Sequence, residues 1–353
     1  MKAEQFSIYL DYLKLLVRQP SVVGSEEPFF RLLQRELEEL DVHVERYHGL
    51  LVASKDAQHH VQKKHYISVH VDRHGLMCTG PNEFQYAAFI AQHRSEMQGD
   101  SVSEQTYKAI ADRFEGKPVL AYQPWSGIYL GKGVIRHSYI CERRENLVFE
   151  IDGLGHLNPG TPVAYTDRLT IEEDRLAAQL DNVLNVALVL YLYACGYEGT
   201  AFFTAQEEAG RSWRFLLDWF HRFNLSTQEL LVLDTSPYAT YQDAEVQQVV
   251  LRKKDANGVF NVEMVEYLED SCKELGIHFT YKDAMIEKAN SLLKPGEEPQ
   301  SLGRTELGRI IQSSKGLING ATLQIPTTGY HTDEETASID AVKSLFRLLM
   351  KII

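Results

Sequence analysis

Cysteine is scarce in this chain of 353 residues, and the four present (Cys78, Cys141, Cys195 and Cys272) are far apart with no CxxC pair. That spacing excludes zinc-ribbon and thioredoxin-type readings. Dispersed thiols in a chain of this length fit free cysteines in a reducing compartment. Long apolar runs are also missing. The longest, Val186 to Cys195, is about half of what a membrane span needs. The opening MKAEQFSIYLDYLKLLVRQP is broken by charges and has no small-residue cleavage site, so no signal peptide is expected and a cytoplasmic location is. Positive charge is in deficit, with 36 Lys and Arg against 49 Asp and Glu and a net charge of −13. Such a surface repels phosphate backbones and anionic lipid, so neither nucleic acid nor membrane is an expected partner. Internal repeats and low-complexity segments are absent.

What is present is ordinary globular composition, 44 % hydrophobic and 24 % charged, in a chain long enough for two structural units. The first forty residues read as two helices. In the second, Phe29, Phe30, Leu33, Leu37 and Leu40 share one face. HYISVHVD (65–72) reads as a buried strand. From 73 to 163 the pattern changes to short strand-like pieces such as PVLAYQ and ENLVFEID, ending at the turn NPGTPVAY. This predicts an inserted, mainly β domain over 73–163, between the two parts (1–72 and 164–353) of a larger unit. After it, helical and strand patterns alternate, beginning with an almost wholly apolar helix over 182–194. The expected fold is therefore α/β: a mixed, mostly parallel sheet covered by helices on both faces.

In open α/β sheets, functional groups gather beyond the carboxyl ends of strands. His70 and Asp72 close the first strand, Glu207 and Glu208 follow AFFTAQ, and Asp234 follows LLVL. His331 comes six residues after ATLQI, and Asp181 stands at the entry of the apolar helix. Each has a plain alternative. An HxD pair occurs by chance, and a Glu-Glu pair commonly starts a solvated helix. Asp234 suits a turn, His331 a surface loop and Asp181 a helix N-cap. Their shared position at one edge of one sheet favours a site.

The chemistry is coherent. Two adjacent metal ions need a bridging carboxylate with imidazole or carboxylate ligands on either side. His70, Asp181, Glu208, Asp234 and His331 meet that need, with Asp181 as bridge. The nitrogen and oxygen donors suit Zn²⁺, Co²⁺ or Mn²⁺. Glu207 can act as general base, and Asp72 can orient the His70 imidazole.

HVDRHG, QLDN, TAQEEAG, VLDTS and TTGYHTDEE stand in the order and rough spacing of the tetrahedral and glutamyl aminopeptidases. The chain resembles that family of co-catalytic metallopeptidases over nearly all its length outside 73–163. The resemblance also takes in LLVRQPSVVGSEE and GRTELGRI. It implies a zinc-exopeptidase-like catalytic domain and an inserted domain used in oligomerisation, hence a homo-oligomer, dimer or larger. It further implies two divalent ions per chain, zinc first. His70, Asp181, Glu208, Asp234 and His331 would be ligands, Glu207 the general base and acid, and Asp72 the carboxylate that orients His70. The implied activity releases N-terminal residues from peptide substrates bound by their free α-amine. A related deacylase or carboxypeptidase, and a non-catalytic binding relative, are the alternatives. This chain departs from the family at Asn182 and Val183, where a second Asp and an Arg are usual. Arg73 and His74 replace an acidic and an apolar residue, and Glu306 replaces an Asp.

Overall fold

The computed structural model describes residues 3–57, 60–63, 65–89, 104–143 and 146–353. The chain enters through helices α1 (Ala3–Arg18) and α2 (Glu27–Glu38), then strands β1 (His43–Tyr47), β2 (Leu50–Ser54) and β3 (Tyr66–His70). Next come β4 (Leu76–Gly80), β5 (Glu83–Tyr86), helix α3 (Glu104–Phe114), β6 (Pro118–Tyr122), β7 (Tyr129–Cys141), β8 (Asn146–Asp152) and β9 (Pro162–Tyr165). These six strands close into a barrel in the order β4-β5-β8-β7-β6-β9, with Leu76 paired to Val163 at the seam. Leu76, Phe84, Phe149 and Val163 fill its core, and α3 contributes Phe114.

The chain then returns to the main sheet. β10 (Thr170–Glu172) and β11 (Arg175–Ala178) lead to α4 (Val183–Ala194), β12 (Thr200–Thr204), α5 (Ser212–Arg222), β13 (Thr227–Pro237), α6 (Tyr241–Glu245) and β14 (Val249–Leu251). α7 (Val262–Leu275), β15 (Phe279–Tyr281), α8 (Lys282–Ser291), α9 (Glu306–Ser314), β16 (Ile318–Thr328), β17 (Glu335–Ser338) and α10 (Ile339–Ile352) complete it. The path is β1-β2-β12-β3-β13-β16-β17-β11-β10, with β14 and β15 attached at β16. β12, β3, β13 and β16 are mutually parallel, and antiparallel strands flank them on both sides. The parallel part is thus the centre of the sheet, where crossover helices cover both faces. The flanks are antiparallel because short turns suffice to join such strands.

Every residue of β3 (YISVH) and β12 (TAFFT) is buried. β-Branched and aromatic side chains favour strands and pack against helices above and below. α4 is buried on all sides from Val183 to Tyr193, lies against α1 and α10, and fixes the strand ends around Asp181. Truncating one of its leucines to alanine costs about 2–5 kcal/mol. Side-chain oxygens of Asn261, Thr305 and Ser338 accept backbone N–H bonds that start α7, α9 and α10.

Candidate metal centre

The carboxyl ends of β3, β12, β13 and β16 converge on one cluster. Ligand atoms of His70, Asp181 and Asp234 lie within 4.8 Å of one another, and so do those of His74, Glu208 and His331. His70 Nε2 is 3.2 Å from Asp181 Oδ1 and 3.4 Å from Asp234 Oδ1. His331 Nε2 is 3.5 Å from Glu208 Oε2 and 3.9 Å from Asp181 Oδ2. Asp181 therefore turns one oxygen to each group. His74 Nε2 is 2.8 Å from Glu208 Oε2. All five ligands expected from sequence are brought together here. His74, the further member of the second group, was read from sequence only as a replaced apolar position.

Backbone geometry aims these side chains. Glu207 and Glu208 lie in the turn after β12, entered through Gln206 at φ 60°. His331 lies in the turn between β16 and β17, also at φ 60°. Non-glycine residues take left-handed backbone at some cost, and such positions concentrate at functional sites. Gly329 opens the His331 turn at φ 72°, and a Cβ there would sit 2.9 Å from the Glu334 carbonyl oxygen.

Two buried carboxylates act as staples. Asp72 accepts the backbone N–H of Glu207 at 2.9 Å and of Glu208 at 3.0 Å. Its carboxylate is 3.6 Å from His70 Nδ1, which instead hydrogen-bonds the Asp72 backbone carbonyl at 3.2 Å. Glu335 accepts the N–H groups of Leu180, Asp181 and His331 at 2.6, 2.8 and 2.7 Å. Glu335 was missed in the sequence because it ends the acidic run Asp333–Glu335, which looks like a solvated turn. Of that run, Asp333 pairs with Lys117 and Glu334 is exposed.

The departures from the family pattern have structural places. Asn182 donates from Nδ2 to the Leu233 carbonyl, and Asn185 reaches Asn182 and the Asp234 carbonyl. Arg73 is buried, donating to Ser21 Oγ and facing Asp167. Glu306 accepts from Ser68 Oγ and Thr204 Oγ1 beneath the sheet edge.

The electrostatics favour cations. Burial pushes the Glu207 and Glu208 carboxyls well above their ordinary range, and neighbouring carboxylates push the same way. Burial also raises Glu335 and Asp234, reinforced by Asp181. Burial opposes charge on His70, but the facing carboxylates of Asp181, Asp234 and Asp72 outweigh it and raise its pKa. Burial drives His74 down to about 3 and His331 well below its usual value, so both are neutral, the ligand form of imidazole. Asp181 Oδ1, Glu208 Oε1 and His74 Nε2 are buried without an aligned hydrogen-bond partner. Orphaned donor atoms converging on common points fit bound dications, which would relieve carboxylate repulsion. Tetrahedral zinc ligands at about 2.0–2.2 Å stand roughly 3.3 Å apart, close to the spacings here.

Two clefts meet at this cluster, both lined by Glu207, Glu208, Tyr330 and His331. One, of about 290 Å³, carries Arg252 and Lys282. The other, about 410 Å³, faces α3 and carries His74, Tyr86 and Arg113. A further cleft of about 250 Å³ around Met264 and Tyr267 shares none of the cluster residues. No described helix is long and apolar enough to cross a membrane.

No curated protein sequence shows significant similarity to the chain. Among solved structures, the TET1 peptidase of Pyrococcus horikoshii is 15 % identical with a TM-score of 0.67, covering 97 % of this chain and 98 % of that one. A TET aminopeptidase from a marine-sediment Thaumarchaeota archaeon is 14 % identical (TM-score 0.71; 99 % and 96 % covered). An aminopeptidase from the archaeon Desulfurococcus kamchatkensis is 13 % identical (TM-score 0.70; 98 % and 94 % covered). These show the fold: a mixed sheet with a parallel core and an inserted six-stranded barrel. Residues 152–348 match the family model for M42 glutamyl aminopeptidases. The chain belongs to the M42 glutamyl aminopeptidase family and is a peptide hydrolase of the aminopeptidase type.

Proposed function

We propose that the chain releases the N-terminal residue of peptides at a dinuclear metal centre, with Glu207 as general base. The observation that carries this reading is the pair of facing ligand groups, with Glu207 on the wall of both clefts beside them. His70, Asp234, Glu208 and His331 would hold two divalent ions, and Asp181 would bridge them. The donor set favours zinc, with cobalt or manganese as substitutes. Bound ions supply Lewis acidity at the scissile carbonyl and an anchor for the free α-amine. Glu207 takes the proton of the attacking water and returns it to the leaving nitrogen. Burial, which raises the Glu207 carboxyl above its ordinary range, strengthens it as the acceptor of the water's proton. Asp72 holds the Glu207–Glu208 backbone so that base and ligand keep their spacing.

Arg252 and Lys282 give one cleft a positive wall. Arg252 donates to Gln324 Oε1 and the Leu302 carbonyl, and Lys282 to the Pro237 carbonyl. That wall would select an acidic N-terminal side chain. Of the basic run Arg252–Lys254, only Arg252 lines this cleft, while Lys254 pairs with Glu287. Assembly is the barrel's role in this reading. Trp125 is 70 % exposed, and Ile128, Tyr129 and Leu130 beside it are exposed too. Such a patch marks a contact surface, and the TET1 peptidase forms a tetrahedron or an octahedral shell.

Metal analysis with zinc-supplemented protein should find two ions per chain. Hydrolysis of a free-amine dipeptide, but not of its N-acetylated form, should vanish with chelator and return with zinc. Less than one ion per chain, or preferred cleavage of the acetylated peptide, would overturn this reading.

A further inference from the structure

His74 stands where the structure has no need of an imidazole for packing alone. It follows β3 by four residues, just before the barrel begins at Leu76. Its ring is 4 % exposed and lies flat against Tyr86, with centroids 5.2 Å apart at 17°. On its other side the His331 ring is 3.6 Å away. Nδ1 shares a hydrogen bond with the Tyr86 hydroxyl, and the backbone carbonyl accepts Gln179 Nε2 at 2.8 Å. The ring is thus held from three directions. Its remaining polar atom, Nε2, points at Glu208, 2.8 Å from Oε2, with no aligned hydrogen bond. A valine or isoleucine would satisfy the packing and leave no orphan nitrogen.

We propose that His74 is itself a metal ligand, and that it makes the two ions unequal. This rests on the dinuclear reading above. With Nδ1–H donated to the Tyr86 oxygen, Nε2 carries its lone pair toward the point shared with Glu208 and His331. Asp181 Oδ2, 3.9 Å from His331 Nε2, supplies a fourth donor. Four protein donors fill a tetrahedral set, the mark of a closed and tightly held site. The opposite group offers only His70, Asp234 and the other oxygen of Asp181, which leaves a position for water or substrate. The ion at His74 is therefore retained longer, and the exchangeable ion sits at His70 and Asp234. Tyr86, on β5, hydrogen-bonds this ligand, so the barrel orients one half of the centre.

The test is a crystal structure of zinc-loaded wild-type protein, with the ions located by anomalous scattering, alongside chelator titration of wild type, His74→Ala and Tyr86→Phe. His74 Nε2 is expected at about 2.0–2.1 Å from one zinc. Wild type should release its two ions in separated steps. His74→Ala should weaken the tighter step by at least ~10–100-fold, and Tyr86→Phe by about tenfold. Two zincs with Nε2 bonded only to Glu208 would overturn the proposal and leave the dinuclear reading intact. Fewer than one ion per chain would overturn both. Should His74→Ala fail to fold, the wild-type structure decides alone.

Discussion

The sheet and the barrel treat hydrophobic residues in opposite ways. β3 and β12 bury every side chain. β7 of the barrel is thirteen residues long and exposes Tyr129, Leu130, Val134, Tyr139 and Ile140. A strand buried on both faces can hold a ligand in one place, because its neighbours allow no other register. A strand with apolar residues in water serves a surface still to be covered. In the proposed reading the sheet carries the chemistry and the barrel assembly, and His74 with Tyr86 lies where the two join.

The largest effect tests the sheet. Glu207→Gln removes the proton acceptor and keeps the shape, so kcat should fall by about 10²–10⁴ while the oligomer is unchanged by light scattering. Activity that survives this change would contradict the base assignment. Glu335→Gln comes next. Its three acceptor contacts go to the backbone of Leu180 and of two candidate ligands, and an amide cannot accept from all three. One N–H loses its partner, which costs about 1–3 kcal/mol. Zinc affinity should fall about 10–100-fold, and unchanged affinity by chelator competition would show that Glu335 does not position the ligands.

How much of this could be read beforehand follows from the same division. His70, Glu208 and Asp234 were legible because each ends an apolar run, and in a parallel sheet those ends share one edge. Asp181 was legible from the apolar helix it precedes. His74 was not, because it follows the strand and its neighbours resemble the start of another. Its ring meets Glu208 at the entry to the barrel, which begins at Leu76 and closes by pairing with β9, a long-range contact. Arg113 was equally hidden. It comes within 3.4 Å of His331 Nδ1 through the packing of α3, a contact between residues distant in sequence. Strand ends are local information, whereas a joint between two domains depends on long-range pairing.

The barrel's side of the comparison breaks most cleanly at Trp125 and Tyr129. Replacing both with serine removes exposed apolar area without touching a ligand. The protein should shift to smaller species by light scattering, while kcat/KM on a dipeptide anilide stays within about threefold. Unchanged assembly would move the contact surface off this strand. A loss of zinc with the loss of assembly would mean that sheet and barrel are not separable.

The smallest effect asks whether substrate selection also belongs to the sheet. Lys282, at the start of α8, is buried, and burial with the nearby Arg252 charge lowers its pKa to about 8. It is protonated below that pH and neutral above it, so its attraction for an acidic side chain fades as pH rises through 8. One charge at this range is worth about 1 kcal/mol, or roughly fivefold. KM for an N-terminal glutamyl substrate should therefore rise a few-fold between pH 7 and 9.5, while KM for an alanyl substrate changes with the common pH profile alone. Lys282→Met should remove that difference and leave the alanyl profile as it was. The Trp125 and Tyr129 double variant should keep it, because no described barrel residue lines the Arg252 cleft. Equal pH dependence of the two substrates in wild type would take Lys282 out of substrate selection and leave Arg252 as the cation of that wall.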